Sequence, residues 1–179
     1  MPNVVATPHG LVAACLPALA VAGLTLPFAA PRSAHAASAA TVLDVEERTL
    51  CRQINRLRSH AGAPPLRLSP RLTKASRWHS SDMARHDRFS HLDSRGRDFD
   101  ARIMSFGYSG PTMAENLAAG EGRGQDIFRV LKSSPAHRRN MLRPQLKVIG
   151  VGRAYGAATW FGWYWSTTFG GTVDTTAAC

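Results

Sequence analysis

Residues 146–155, LKVIGVGRAY, mark the point where the chain changes its period. Gly150 and Gly152 alternate with valine in an extended pattern, and a link of Gly and Ala leads to residues 159–171, TWFGWYWSTTFGG, a second strand crowded with aromatics. Working back toward the N-terminus, the pattern is helical. Leu43, Leu50, Ile54, Leu57 and Ala61 recur at helical spacing and stop at Gly62 and Pro64-Pro65. Ser69 as N-cap and Pro70 in the first turn open a second helix through Leu72, Ala75, His79 and Met83 to about His86. A short helix is predicted over 98–106, with Phe99, Ile103 and Phe106 inward. The glycine-rich segment 114–124, AENLAAGEGRG, reads as a loop. A fourth helix over 125–133 carries Ile127, Val130 and Leu131 on one side, and Ser134-Pro135 starts a fifth. Helices first and an antiparallel pair last predict an α+β fold, helices packed against a sheet.

Length and composition bound the rest. A chain of 179 residues, 44% apolar, is long enough for one buried domain and short for two. Residues 1–36, an apolar run broken by Pro and Gly that ends in SAHA, read as a signal peptide cleaved near Ala36. The opening residues lack Lys and Arg, and an uncleaved anchor is the alternative. Residues 37–42 are then a short linker and 43–179 a single domain, expected to be secreted, without a transmembrane anchor after processing, and monomeric. Cleavage leaves Cys51 and Cys179, which read as one disulfide outside the cytosol, with two free thiols as the alternative. The net charge of +10, from 22 basic and 12 acidic residues, predicts attraction to anionic surfaces. The arginines are scattered and no nucleic-acid motif is present, so a dedicated nucleic-acid site is not expected.

No HExxH, paired CxxC or Walker motif occurs. GYSGP at 107–111 lacks the last glycine of a nucleophile elbow, and GEGRG at 120–124 lacks the residues of a phosphate loop. What remains for chemistry is His91, Glu115 and His137, each at the end of an element. Two imidazoles and a carboxylate suit either an open divalent-metal site or an acid–base pair. His79, on an apolar face, reads as a hydrogen-bonded core histidine. Asn55 and Arg58 read as ties from the first helix to neighbouring backbone, and one of Trp160 and Trp163 is left facing outward.

Several stretches, taken in order, resemble one family. Residues 53–93, AENLA at 114–118, SSPAHRRNML at 133–142, and IGVGRAYG with WYWSTTFGG are similar in order and spacing to the CAP superfamily. That superfamily comprises the cysteine-rich secretory, antigen-five and pathogenesis-related proteins, and the resemblance is to its exported bacterial branch. It implies an α-β-α sandwich, with helices on both sides of a small antiparallel sheet, and a shared cleft lined by histidines and glutamates. Asn55 and Arg58 match the family's HNxxR motif, with Ile54 in place of its histidine. His91 and Glu115 match the first cleft histidine and glutamate. The second glutamate falls at Ser134 and the second histidine at Tyr164, while His137, from the bacterial SPxHRxN pattern, is the candidate replacement. The resemblance implies a binding module whose cleft (His91, Glu115, His137, Ser134, Tyr164) takes a lipid, peptide or anionic cell-wall ligand. A divalent metal such as zinc is the candidate cofactor, on His91 and His137 with Glu115 acting through water. The alternative is a hydrolase with His91, Glu115 and His137 as its catalytic groups.

Overall fold

Ser69 Oγ accepts the Leu72 N–H at 3.2 Å, and Pro70 occupies the first turn, where no N–H is needed. Helix α2 therefore runs Pro70–His86, and it ends where Asp87 turns left-handed at φ 43°. The computed structural model of the protein describes residues 42–175 and 177–179. The expected signal segment and nearly all of the linker lie outside the described residues. Helix α1, Val45–His60, starts in a capping box between Asp44 and Glu47. Asp98 caps α3, Phe99–Ser105. Helix α4 spans Gly124–Ser133, and Ser134 caps α5, Pro135–Leu142. Among the described residues no helix is long and apolar enough to cross a membrane.

Four strands form one sheet in the order β1-β3-β4-β2: β1 is Arg67–Leu68, β2 Met113–Ala119, β3 Val148–Tyr155 and β4 Trp163–Gly170. One face carries Ile149, Val151, Trp165, Phe169 and Ala118 against Leu50 and Ile54 of α1 and Ile127 and Leu131 of α4. The other face receives α2. Ser76 Oγ lies 2.8 Å from Thr168 Oγ1, and Ser80 Oγ donates to the Gly152 carbonyl at 2.9 Å. Helices thus cover both faces, an α-β-α sandwich.

The two glycines of β3 make that contact possible. A Cβ at Gly150 would stand 2.1 Å from the Leu72 carbonyl carbon, and one at Gly152 would stand 2.2 Å from the Arg77 nitrogen, both α2 backbone. Gly150→Ala is expected to destabilise the fold by about 1–3 kcal/mol, toward the upper end because backbone cannot swing aside as a side chain can. Urea denaturation checks it, and an unchanged midpoint would show that α2 has room to move.

Three expectations are corrected. The segment read as a loop contains β2, paired antiparallel with β4 from Met113↔Gly170 to Ala119↔Tyr164. Its small residues carry little strand propensity, and the pairing is supplied by a strand some fifty residues away. The sheet is not wholly antiparallel, because β1 pairs parallel with β3. At two residues, β1 is too short to show any alternation. Val130 is 45% exposed, because Ile127, Phe128 and Leu131 define the buried stripe of α4 and Val130 lies off it.

Candidate functional site

The loop after α2 is gripped from three sides, and that grip positions His91. Asp82 accepts from Ser94 N and Oγ at 2.8 and 2.6 Å, and Asp93 accepts from the Arg95 and Arg97 amides at 2.9 and 3.0 Å. His79 Nε2 meets the Ser90 carbonyl at 2.9 Å, as a hydrogen-bonded core histidine should. Arg102 Nη1 donates to the His91 carbonyl at 3.1 Å.

Glu115 lies on β2, one of the two edge strands of the sheet, with its side chain fully buried. Its Oε1 is 2.8 Å from His91 Nδ1, and its Oε2 accepts from Arg102 Nη2 at 2.5 Å and Ser166 Oγ at 3.2 Å. Burial alone would raise its pKa. The His91 hydrogen bond and the Arg102 charge outweigh burial, so the carboxyl is held below its usual range. An ionised Glu115 can only accept, so a neutral His91 must carry its proton on Nδ1 and present Nε2 as a lone-pair acceptor. The His91 side chain is 56% exposed, so a ligand can reach it.

His137 arrives from α5. Asn116, next to Glu115, donates to the His137 carbonyl at 3.0 Å, and Asn140 donates to Asn116 Oδ1 at 2.8 Å. These amides tie α5 to β2. His137 Nδ1 is buried without a hydrogen-bond partner among the described residues. Burial first, then the neighbouring charge of His91, press the ring below its ordinary pKa of 6.5 and toward its neutral form. The structure therefore brings His91 and Glu115 into contact and ties the backbone of His137 to the next residue of β2.

Ser134 and Tyr164 are used differently. Ser134 Oγ caps α5 by accepting the His137 N–H. Tyr164 is fully buried, its ring edge-on to Phe161 and its hydroxyl donating to Asp87 at 2.5 Å, so it faces the core rather than an opening. Among the described residues no group of three or more His, Cys, Asp or Glu side chains is arranged to hold a metal ion. The imidazoles of His91 and His137 are the donors left at the site, since Glu115 is committed to its three partners.

Two residues of the site were not singled out from sequence. Arg102, fully buried, lies on the face of α3 set by Phe99, Ile103 and Phe106, and that shared face was the available signal. Ser166 alternates with Tyr164 and Thr168 on the α2 side of β4. Asn55 and Arg58 do bind neighbouring backbone: Asn55 pairs with Leu66 N and O at 2.8 and 3.0 Å, and Arg58 reaches four carbonyls. Trp160 is the outward tryptophan, 86% exposed.

Comparison with known proteins agrees with this architecture. The chain is 30% identical over 135 residues to YkwD of Bacillus subtilis, described as uncharacterized. That match covers 75% of this chain and 52% of the relative, so the chain spans about half the length of the curated relative. Two solved structures share the fold. An extracellular protein containing a SCP domain from Bacillus anthracis superposes with a TM-score of 0.61 at 24% identity, over 68% of this chain and 39% of that one. An outer surface protein of Borrelia burgdorferi gives 0.64 at 19% identity, over 72% of this chain and 95% of that one. The description "CAP: Cysteine-rich secretory protein family" matches residues 51–169, and the chain belongs to that family.

Proposed function

We propose that the protein is an exported binding module, with residues 1–36 removed and 43–179 acting as one monomeric domain. Its site at the edge of β2 takes a small lipid, peptide or cell-wall ligand on His91 and His137. The observation that carries this reading is the commitment of Glu115. Both of its oxygens are occupied, and Ser166, which donates to Glu115, is turned to the carboxylate rather than poised as a nucleophile on an imidazole. When His91 carries a single proton, its Nε2 is therefore a fixed acceptor beside the His137 imidazole. Two supports favour export: the Cys51–Cys179 disulfide suits an oxidising compartment, and the structural relatives are described as extracellular or outer-surface proteins.

A divalent cation such as zinc would be held by His91 and His137, with Glu115 behind His91 fixing its tautomer, as carboxylates do behind metal-bound histidines. When bound it would supply a Lewis acid for an anionic ligand group. Titration calorimetry with zinc chloride tests the site. Binding is expected in the natural protein and lost in His91→Ala and in His137→Ala. In Glu115→Gln it should weaken about 10-fold or more. Zinc heats unchanged in both alanine variants would return the histidines to structural roles. Sustained turnover of a peptide or ester panel that His91→Ala abolishes would establish the hydrolase instead.

A further inference from the structure

Four surface depressions on the α1 and α5 side of the molecule join into one track. A groove of about 800 Å³ shares Asn55 and Ala178 with a second depression along α1, and Pro144 with a third beside α5. The second shares Arg52 and Arg56 with a fourth. Their walls carry seven cations. Arg52 and Arg56 come from α1, one turn apart, and Arg138, Arg139 and Arg143 come from α5 and its end. Arg67 and Lys147 flank the large groove, whose other walls are mainly proline and aliphatic side chains. Among the described residues no acidic side chain lines any of the four.

These cations are exposed, and none forms an ion pair among the described residues. The C-terminal tail has one acidic side chain, Asp174, and it is turned to Ser69 Oγ at 2.8 Å and Arg71 at 3.5 Å. Elsewhere on the surface, Arg85 and Arg123 each face a carboxylate at 3.9 Å. Residues that looked scattered along the sequence are therefore gathered, unneutralised, over a continuous path. None of His91, Glu115 and His137 lines it.

We propose that this track binds a linear, base-free polyanion whose charges are phosphodiesters, of the kind built from polyol phosphates. Six of the seven cations are arginine, whose planar fork matches phosphate oxygens two at a time. A chain of charges can follow a path that a single compact anion would fill only at one point. Among the described residues no aromatic side chain lines the walls, which argues against single-stranded nucleic acid, whose bases are held by stacking on aromatic rings. This surface is separate from the histidine site, and either can hold while the other fails.

The test is fluorescence anisotropy of the full chain with a labelled synthetic poly(glycerol phosphate) over increasing sodium chloride. With four or more phosphates neutralised, log K is expected to fall against log salt with a slope of about −3 or steeper. Arg52→Gln with Arg56→Gln, and Arg138→Gln with Arg139→Gln, should each weaken binding about 10-fold or more. Arg85→Gln with Arg123→Gln removes the same charge elsewhere and should leave binding close to the natural value. Circular dichroism confirms that each variant is folded. Equal losses in all three pairs would reduce the effect to net charge and overturn the proposal. Tighter binding of a single-stranded oligonucleotide, or equal binding of a polygalacturonate chain, would overturn the assignment to phosphodiesters.

Discussion

Removing the Cys51–Cys179 bridge by Cys51→Ala with Cys179→Ala is expected to cost about 5 kcal/mol of unfolding free energy. The two cysteines are 128 residues apart, so the bond closes nearly the whole domain into one loop. In the chain-entropy account, a cross-link of that span removes about 5 kcal/mol worth of freedom from the unfolded chain. A domain of this size holds about 5–15 kcal/mol in total, so the unbridged protein should sit near the edge of stability. The tail has other ties: Leu68 N donates to the Ala177 carbonyl at 2.9 Å, and Tyr108 Oη donates to the Thr172 carbonyl at 2.8 Å. These are few, and each is worth only about 1 kcal/mol net. Urea unfolding of the bridged and unbridged forms decides the matter. The midpoint should fall steeply and the m-value should rise as the unfolded ensemble expands. A loss below about 1 kcal/mol would mean that the tail is held by its packing instead.

Arg58→Met should cost about 3–5 kcal/mol, because it strips the donors from several buried carbonyls at once. The Arg58 guanidinium is fully buried and has no carboxylate partner. Its Nε donates to the Pro64 carbonyl at 2.7 Å, Nη1 to Met141 and Arg143 at 2.8 and 3.1 Å, and Nη2 to Leu146 at 3.1 Å. Burial lowers its pKa, yet an arginine starts so high that it keeps its proton. Methionine fills the space but leaves those carbonyls without donors, at about 1–3 kcal/mol for each one that water cannot reach. Arg58→Lys should fall between the two, since one ammonium cannot span the fork of acceptors. Thermal melts should show the order Arg, Lys, Met, with the methionine variant down by about 10 °C or more. Hydrogen exchange should quicken first over residues 141–146, which join α5 to β3. A methionine variant within about 1 kcal/mol of the natural protein would show that these carbonyls are satisfied without the guanidinium.

How far the site could be read from sequence depended on how local its signals were. His91, Glu115 and His137 were legible because each stands in a recognisable string, although Glu115 proves to lie within β2 rather than at an element end. The role of Glu115 was not legible. It rests on Arg102 and Ser166, 13 and 51 residues away, and nothing in a string of residues says which arginine will be fully buried. For Ser134 and Tyr164, the family resemblance alone implies a place in the cleft. One proves to be a helix cap and the other a buried ring, because a shared motif position does not preserve a side chain's surroundings.

Features set by neighbours a few residues apart could be read along the chain. Caps and prolines at Asp44, Ser69-Pro70, Asp98 and Ser134-Pro135 set the helix starts, since a capping bond spans only a few residues. The apolar period of α2 told which of its faces turns inward, and Cys51 and Cys179 were read as a pair before the structure joined them. The tertiary structure decided the rest. It made a strand of 113–119 by pairing it with β4, and it explained the glycines of β3 by laying α2 backbone across them. It also sorted the arginines, sending Arg58 and Arg102 into the interior and seven cations onto one open track. Strand pairing, close approach and burial of charge each join residues tens of positions apart, so their energies are settled only when the whole chain has closed around them.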